Sequence, residues 1–148
     1  MKTMREILFR GKIESVGPLD GKWVYGGIWH KRWSNKAEIC IRDGEFGFCV
    51  YKKTVGEYTG LKDKNGTKIF EGDIVRVSRG KDIDTGEIQY NKYGVWVIAY
   101  DKFYCNTFPD IFTSSDSRVW IEVIGNIHDN PELLEGATSN EAINPAKI

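Results

Sequence analysis

Only two histidines, His30 and His128, are available for acid–base work in this 148-residue chain. Cys105 or Ser115 could be paired with His128 as nucleophile and base, an arrangement that also needs a third group to orient the base. None of the three sits in a local motif of the kind that marks such sites, so the chain is expected not to be an enzyme. Asp63-Lys-Asn65-Gly66 opens like a calcium loop. Such a loop needs glycine at its sixth place and glutamate at its twelfth, whereas here glycine is fourth and Ile74 is twelfth. Glu71 with Asp73 and Asp82 with Asp84 are carboxylate pairs that a strand would place on one face, yet as isolated pairs they read as solvated loop charges. No Gly-x-Gly-x-x-Gly or Walker-type loop is present to cradle phosphate. The sequence thus offers no catalytic residue, metal site or cofactor site.

Binding chemistry is better represented. Trp29, His30, Lys31, Arg32, Trp33 and Lys36 interleave basic and aromatic side chains. Rings of this kind stack on bases while the cations neutralise phosphates. Trp29, Lys31, Arg32, Trp33 and Lys36 are therefore the candidate nucleic-acid-binding residues. The plainer alternative is that both tryptophans pack in the core and the long basic side chains reach past them to water.

Bulk properties bound the rest. The 21 basic and 21 acidic residues cancel, so no global field draws the chain to nucleic acid or to an anionic membrane. The cancellation is uneven. Residues 1–40 hold eight Lys/Arg against four acids, and residues 128–148 hold four acids against Lys147. Three cysteines, at 40, 49 and 105, lack Cys-x-x-Cys spacing, which argues against a disulfide framework and a structural zinc site. Cys40 and Cys49 lie inside apolar runs and read as small buried hydrophobes. The first apolar run is only Ile7-Leu8-Phe9. No signal peptide or membrane span is expected, and a cytoplasmic protein is.

The elements that must position these residues are strands. Seven Tyr, seven Phe and five Trp favour extended structure, and no stretch sustains a helical period. Strands are predicted near 6–10, 12–16, 22–29, 37–42, 46–52, 73–79, 85–90, 95–101 and 119–127. Gly26-Gly27 inside an aromatic strand predicts a bulge or a close backbone approach. Asp43-Gly44, Asn65-Gly66, Glu71-Gly72 and Asn91–Gly94 read as turns. Residues 101–117 read as a long aromatic loop. Asn130-Pro131 predicts a helical turn over Glu132–Glu135, and beyond Gly136 a mobile tail is expected. The fold class is mostly β: an N-terminal β lobe over 1–54, an SH3-like small β-barrel over 55–130, and a short helix and tail over 131–148.

Two segments carry a resemblance. Glu57-Tyr-Thr-Gly-Leu-Lys-Asp-Lys-Asn-Gly-Thr-Lys-Ile-Phe-Glu-Gly-Asp-Ile-Val75 and Ile121-Glu-Val-Ile-Gly-Asn-Ile-His-Asp-Asn-Pro-Glu-Leu-Leu134 resemble the YopX family of phage and prophage proteins. Arg5–Lys12 and Trp23-Val-Tyr-Gly-Gly27 are similar to that family's opening. The resemblance implies a phage-derived, mostly β protein with an SH3-like second half, and it brings no catalytic residues. Its matching positions are Thr59, Gly60, Leu61, Asp63, Gly66, Gly72, Asp73, Gly125, Asn126, Asp129, Asn130 and Pro131, which read as turn, cap and core. The expected function is a non-enzymatic accessory module working through a protein partner or self-association. Nucleic-acid binding through residues 29–36 is the alternative.

Overall fold

A computed structural model describes residues 4–33, 36–100, 105–107 and 114–135; the side chains at 33, 36, 37 and 105–107 lie outside the description. The elements in order are β1 (Phe9–Lys12), β2 (Trp23–Trp33), β3 (Lys36–Asp43), β4 (Phe46–Cys49), a 3₁₀ turn (Lys52–Thr54), β5 (Gly56–Lys62), β6 (Lys68–Phe70), β7 (Asp73–Arg79), β8 (Ile83–Tyr90), β9 (Trp96–Ala99), β10 (Cys105–Thr107) and β11 (Val119–Asn126). A short helix covers 132–135. The chain divides into two compact units, residues 1–60 and 61–148.

In the first unit the strands are ordered β4-β3-β2-β1-β5, each pair of neighbours running antiparallel. β5 ends in the second unit and is followed there by β6, its neighbour in the strand order. Side chains alternate between the faces of a strand, and directly paired residues share a face. One face of this sheet accordingly carries Val24 and Ile41, which join Ile13 and Val50 in a buried cluster with Phe9, Ile39, Phe48 and Val55 packed against it. A bridge between Ile13 and Val50 and a hydrogen bond from the Tyr51 N–H to the Lys12 carbonyl return the end of β4 to the end of β1. The sheet is therefore strongly curled around these residues. Only one strand, β1, occupies the region where the sequence predicts two, at 6–10 and 12–16, because Ser15 to Gly21 form a turn rather than an extended run.

The adjacent glycines of β2 have different roles. A Cβ on Gly26 would lie 1.8 Å from the carbonyl oxygen of Arg42, whereas one on Gly27 would meet nothing within 4 Å. Gly26 is the predicted close backbone approach. Gly27 is open.

The second unit has strand order β10-β9-β8-β7-β11, an open antiparallel sheet. Its core is Ile69, Val75, Val77, Ile88, Ile98 and Ile121, with Leu61, Trp96, Tyr100, Val119 and Val123 against it. The SH3-like barrel expected over 55–130 is not what these strands display, since the sheet does not close on itself. β5 is not among the strands that the sequence predicts, because Gly56 and Gly60 are poor strand formers that interrupt its run. β10 falls inside the stretch 101–117 expected to be loop, and residues 101–104 and 108–113 of that stretch lie outside the described residues, as does the expected tail beyond Gly136. The turns themselves follow their glycines: Gly44, Gly66, Gly72 and Gly94 all have φ between +59° and +87°, a region that costs other residues strain.

Candidate nucleic-acid interface

The basic and aromatic residues of the first unit are distributed by the two-residue period of β2 and by its neighbours' register. Trp23 pairs with Lys12 and Tyr25 with Arg10 on β1; Gly27 pairs with Arg42, Trp29 with Cys40 and Lys31 with Glu38 on β3; Arg42 and Cys40 pair in turn with Gly47 and Cys49 on β4. All of these residues therefore share the face opposite the Val24–Ile41 core. By sequence, residues 29–36 form one stretch. The structure sends Trp29 and Lys31 to this face and His30 and Arg32, both exposed, to the other. Trp33 pairs with Lys36 at the strand ends, and their side chains lie outside the description.

Cations and rings meet across the strands. The Arg10 guanidinium carbon is 4.7 Å from the Trp23 ring centroid, and Lys12 Nζ is 5.5 Å from it. Arg42 is 5.4 Å from the Trp29 ring. Arg10 is buried and serves to brace Trp23, while Arg42 is exposed and Lys12 and Lys31 are half-buried. Tyr25 is 43% exposed, so this part of the face is open to solvent.

Trp29 is seated by an absence. A Cβ on Gly47 would lie 2.3 Å from Cη2 of the indole, which therefore reaches across the sheet onto β4 where there is no side chain. Beside it lies a pocket of about 400 Å³ lined by Gly27, Ile28, Trp29 and Arg42. That size is within the range of small-molecule sites, and one aromatic wall, one guanidinium and a glycine are the parts that hold a planar group beside an anionic one. None of Arg10, Lys12, Gly27, Arg42 and Gly47 is among the residues that the sequence nominates. Their pairing with β2 depends on register between distant segments, for which the sequence holds no local signal.

Two thiols lie on the same face. Cys40 Sγ and Cys49 Sγ are 3.1 Å apart, and Cys49 Sγ is 3.4 Å from Glu38 Oε2. The neighbouring Cys40 sulfur, then burial, then the Glu38 carboxylate push the Cys49 thiol up to about 12.

The family-matching residues of the second unit are differently occupied. Asp63 is buried, and its Oδ1 accepts the N–H groups of Asn65 and Thr67 while Oδ2 accepts that of Val123. Asp73 is buried, and its Oδ2 accepts the Phe70 N–H. Asn126 Oδ1 accepts from the N–H groups of His128 and Asp129. A Cβ on Gly125 would press to 2.6 Å from Asn130 Oδ1. These are turn-closing and strand-capping roles. Among the described residues no group of three or more His, Cys, Asp or Glu could hold a metal ion, and no helix is long and apolar enough to cross a membrane.

A family model described as YopX protein matches residues 20–135. The chain belongs to the YopX family. Among solved structures it is similar to YopX protein from Bacillus subtilis, with a TM-score of 0.50 and 19% identity over 88% of this chain and 98% of that one. That likeness concerns the fold. It is also similar to protein EF1440 from Enterococcus faecalis, with 30% identity over 73% of this chain and 75% of that one and a TM-score of 0.40. No curated protein matches. The family match spans β2 to the short helix, and so takes in the Trp29 face and the Asp63 and Asn126 turns.

Proposed function

We propose that this YopX-family chain is a non-enzymatic, phage- or prophage-encoded accessory protein that binds single-stranded nucleic acid in the bacterial cytoplasm. The binding surface is the Trp23–Tyr25–Trp29 face of the first unit. The observation that carries the reading is the pocket lined by Gly27, Ile28, Trp29 and Arg42, set in a row of rings with cations over their faces. Stacking supplies about 1–3 kcal/mol per base without regard to sequence. Lys12, Lys31 and Arg42 supply phosphate contacts, and Glu38 is the acid opposite Lys31 in the register. A strand face of this kind needs no recognition helix and no net positive charge, since the potential is local.

Fluorescence anisotropy with short labelled oligonucleotides tests it. Affinity is expected to fall with salt at a log–log slope of about −2 for three phosphate contacts. Trp29→Ala and Arg42→Glu should each weaken binding by about tenfold or more, and Gly27→Leu should fill the pocket and block it. Arg32→Glu, on the opposite face, should change little beyond a general charge effect. Absence of binding at low salt, or equal losses for Arg32→Glu and Arg42→Glu, overturns the assignment.

A second reading has its own observation. Ile83, Tyr90, Tyr93 and Val95 are exposed along β8 and the β8–β9 hairpin, Tyr93 by 78%. Tyr90, Tyr93 and Val95 bring exposed apolar groups close together at the hairpin, which favours a protein partner or self-association. Light scattering of the wild-type chain and of Tyr93→Ser separates the two: a monomer in both cases removes self-association.

A further inference from the structure

The nucleic-acid reading leaves the two thiols of the same sheet unused. Cys40 and Cys49 are direct cross-strand partners on β3 and β4. The Val50 N–H donates to the Ile39 carbonyl, which makes residues 39 and 50 a hydrogen-bonded pair. By the alternation of an antiparallel ladder, 40 and 49 are then a non-hydrogen-bonded pair, whose Cα atoms lie about 4.5 Å apart. That separation falls inside the range a disulfide spans, and its sulfurs must close to about 2.05 Å. They already touch, at 3.1 Å.

We propose that Cys40 and Cys49 are an oxidisable dithiol that forms an intramolecular cross-strand disulfide by exchange with a low-molecular-weight disulfide of the glutathione type. Cys49 is half-buried and Cys40 buried, so Cys49 meets the reagent and Cys40 resolves. The Cys49 thiol loses its proton to solvent, and the thiolate attacks one sulfur of the reagent, whose S–S bond breaks. The departing thiolate takes up a proton, leaving a mixed disulfide on Cys49. Cys40, deprotonated in turn, attacks the Cys49 sulfur and expels the second small thiol. Two protein thiols are oxidised, and one small disulfide is reduced to two thiols. The weak acidity of Cys49 makes the first step slow at neutral pH. Closure fastens β4 to β3 next to Gly47, the seat of Trp29.

The test uses the full chain carrying Cys105→Ser, which leaves two thiols, incubated with oxidised glutathione at mildly alkaline pH. Both titratable thiols are expected to disappear, with the intact mass falling by two hydrogens and recovering on strong reduction. With Cys40→Ser added, the product should instead retain one glutathione on Cys49. Two surviving thiols, a stable glutathione adduct on the pair-containing chain, or a disulfide-linked dimer would each overturn the proposal. Should Cys105→Ser fail to fold, peptide mapping of the oxidised wild-type chain separates the same outcomes: a peptide joining Cys40 to Cys49 supports the site, and pairing of either with Cys105 refutes it.

Discussion

The carboxylate of Asp63 reaches across the second unit to accept the N–H of Val123 at 2.9 Å. The same side chain closes its own turn through Asn65 and Thr67, and the Lys64 N–H donates to the Ile121 carbonyl. The turn after β5 therefore occupies backbone groups of β11 that its pairing with β7 leaves over. An edge strand with open groups invites pairing with another chain, so this aspartate protects the sheet as well as shaping a turn. Asp63→Ala removes the acceptor of three part-buried N–H groups, of which those of the exposed Asn65 and Thr67 can turn to water, and should cost about 1–3 kcal/mol, read as a lowered urea midpoint. Asp63→Asn, which keeps an acceptor oxygen, should cost less. Equal stability of Asp63→Ala and wild type would remove the edge-capping role.

Gly26 and Gly27 differ by one position and by everything around them. Gly26→Ala drives a methyl into the Arg42 carbonyl, which β3 must yield to accommodate, at about 1–3 kcal/mol as for other overpacked sites. Gly27→Ala enters open space and should leave the melting temperature within about a degree of wild type or slightly higher, since alanine restricts the unfolded chain. Thermal melts of the two variants side by side decide it; similar losses in both would mean that β2 and β3 are spaced differently from the geometry described.

The Cys49 thiol titrates at about 12 in the folded chain against an ordinary 9.0. Its folded value is raised, so the protonated form is favoured by folding. The contribution is fully present below pH 9 and is lost as pH rises from 9 toward 12. Reduced wild-type protein should therefore lose stability more steeply across that window than reduced Cys49→Ser, in denaturant melts taken at a series of pH values. Parallel pH profiles would show that the Cys40 and Glu38 neighbours do not act on this thiol.

Features with a local cause are legible in the sequence. A residue at positive φ needs glycine whatever surrounds it, and so the corners at Gly44, Gly66, Gly72 and Gly94 are marked there. Asn130-Pro131 likewise announces the helix at 132–135, and the aromatic, β-branched runs announce a β-rich chain; the segments 57–75 and 121–134 carry the family resemblance that the match over 20–135 bears out.

The tertiary structure alone decided which strands adjoin and in what register. Placing Lys12 beside Trp23, Arg42 beside Gly27 and Cys49 beside Cys40 requires aligning separate segments to the residue, and a slip of one would send every one of these side chains to the other face. Glycines at 56 and 60 mislead for the converse reason: a strand can carry them once its neighbours supply the hydrogen bonds. The sequence determined the chain's local bends and its apolar alternation, because those depend on each residue's own torsions and hydration. The ring-and-cation face, the pocket at Trp29 and the facing thiols exist only through cooperative pairing of distant segments.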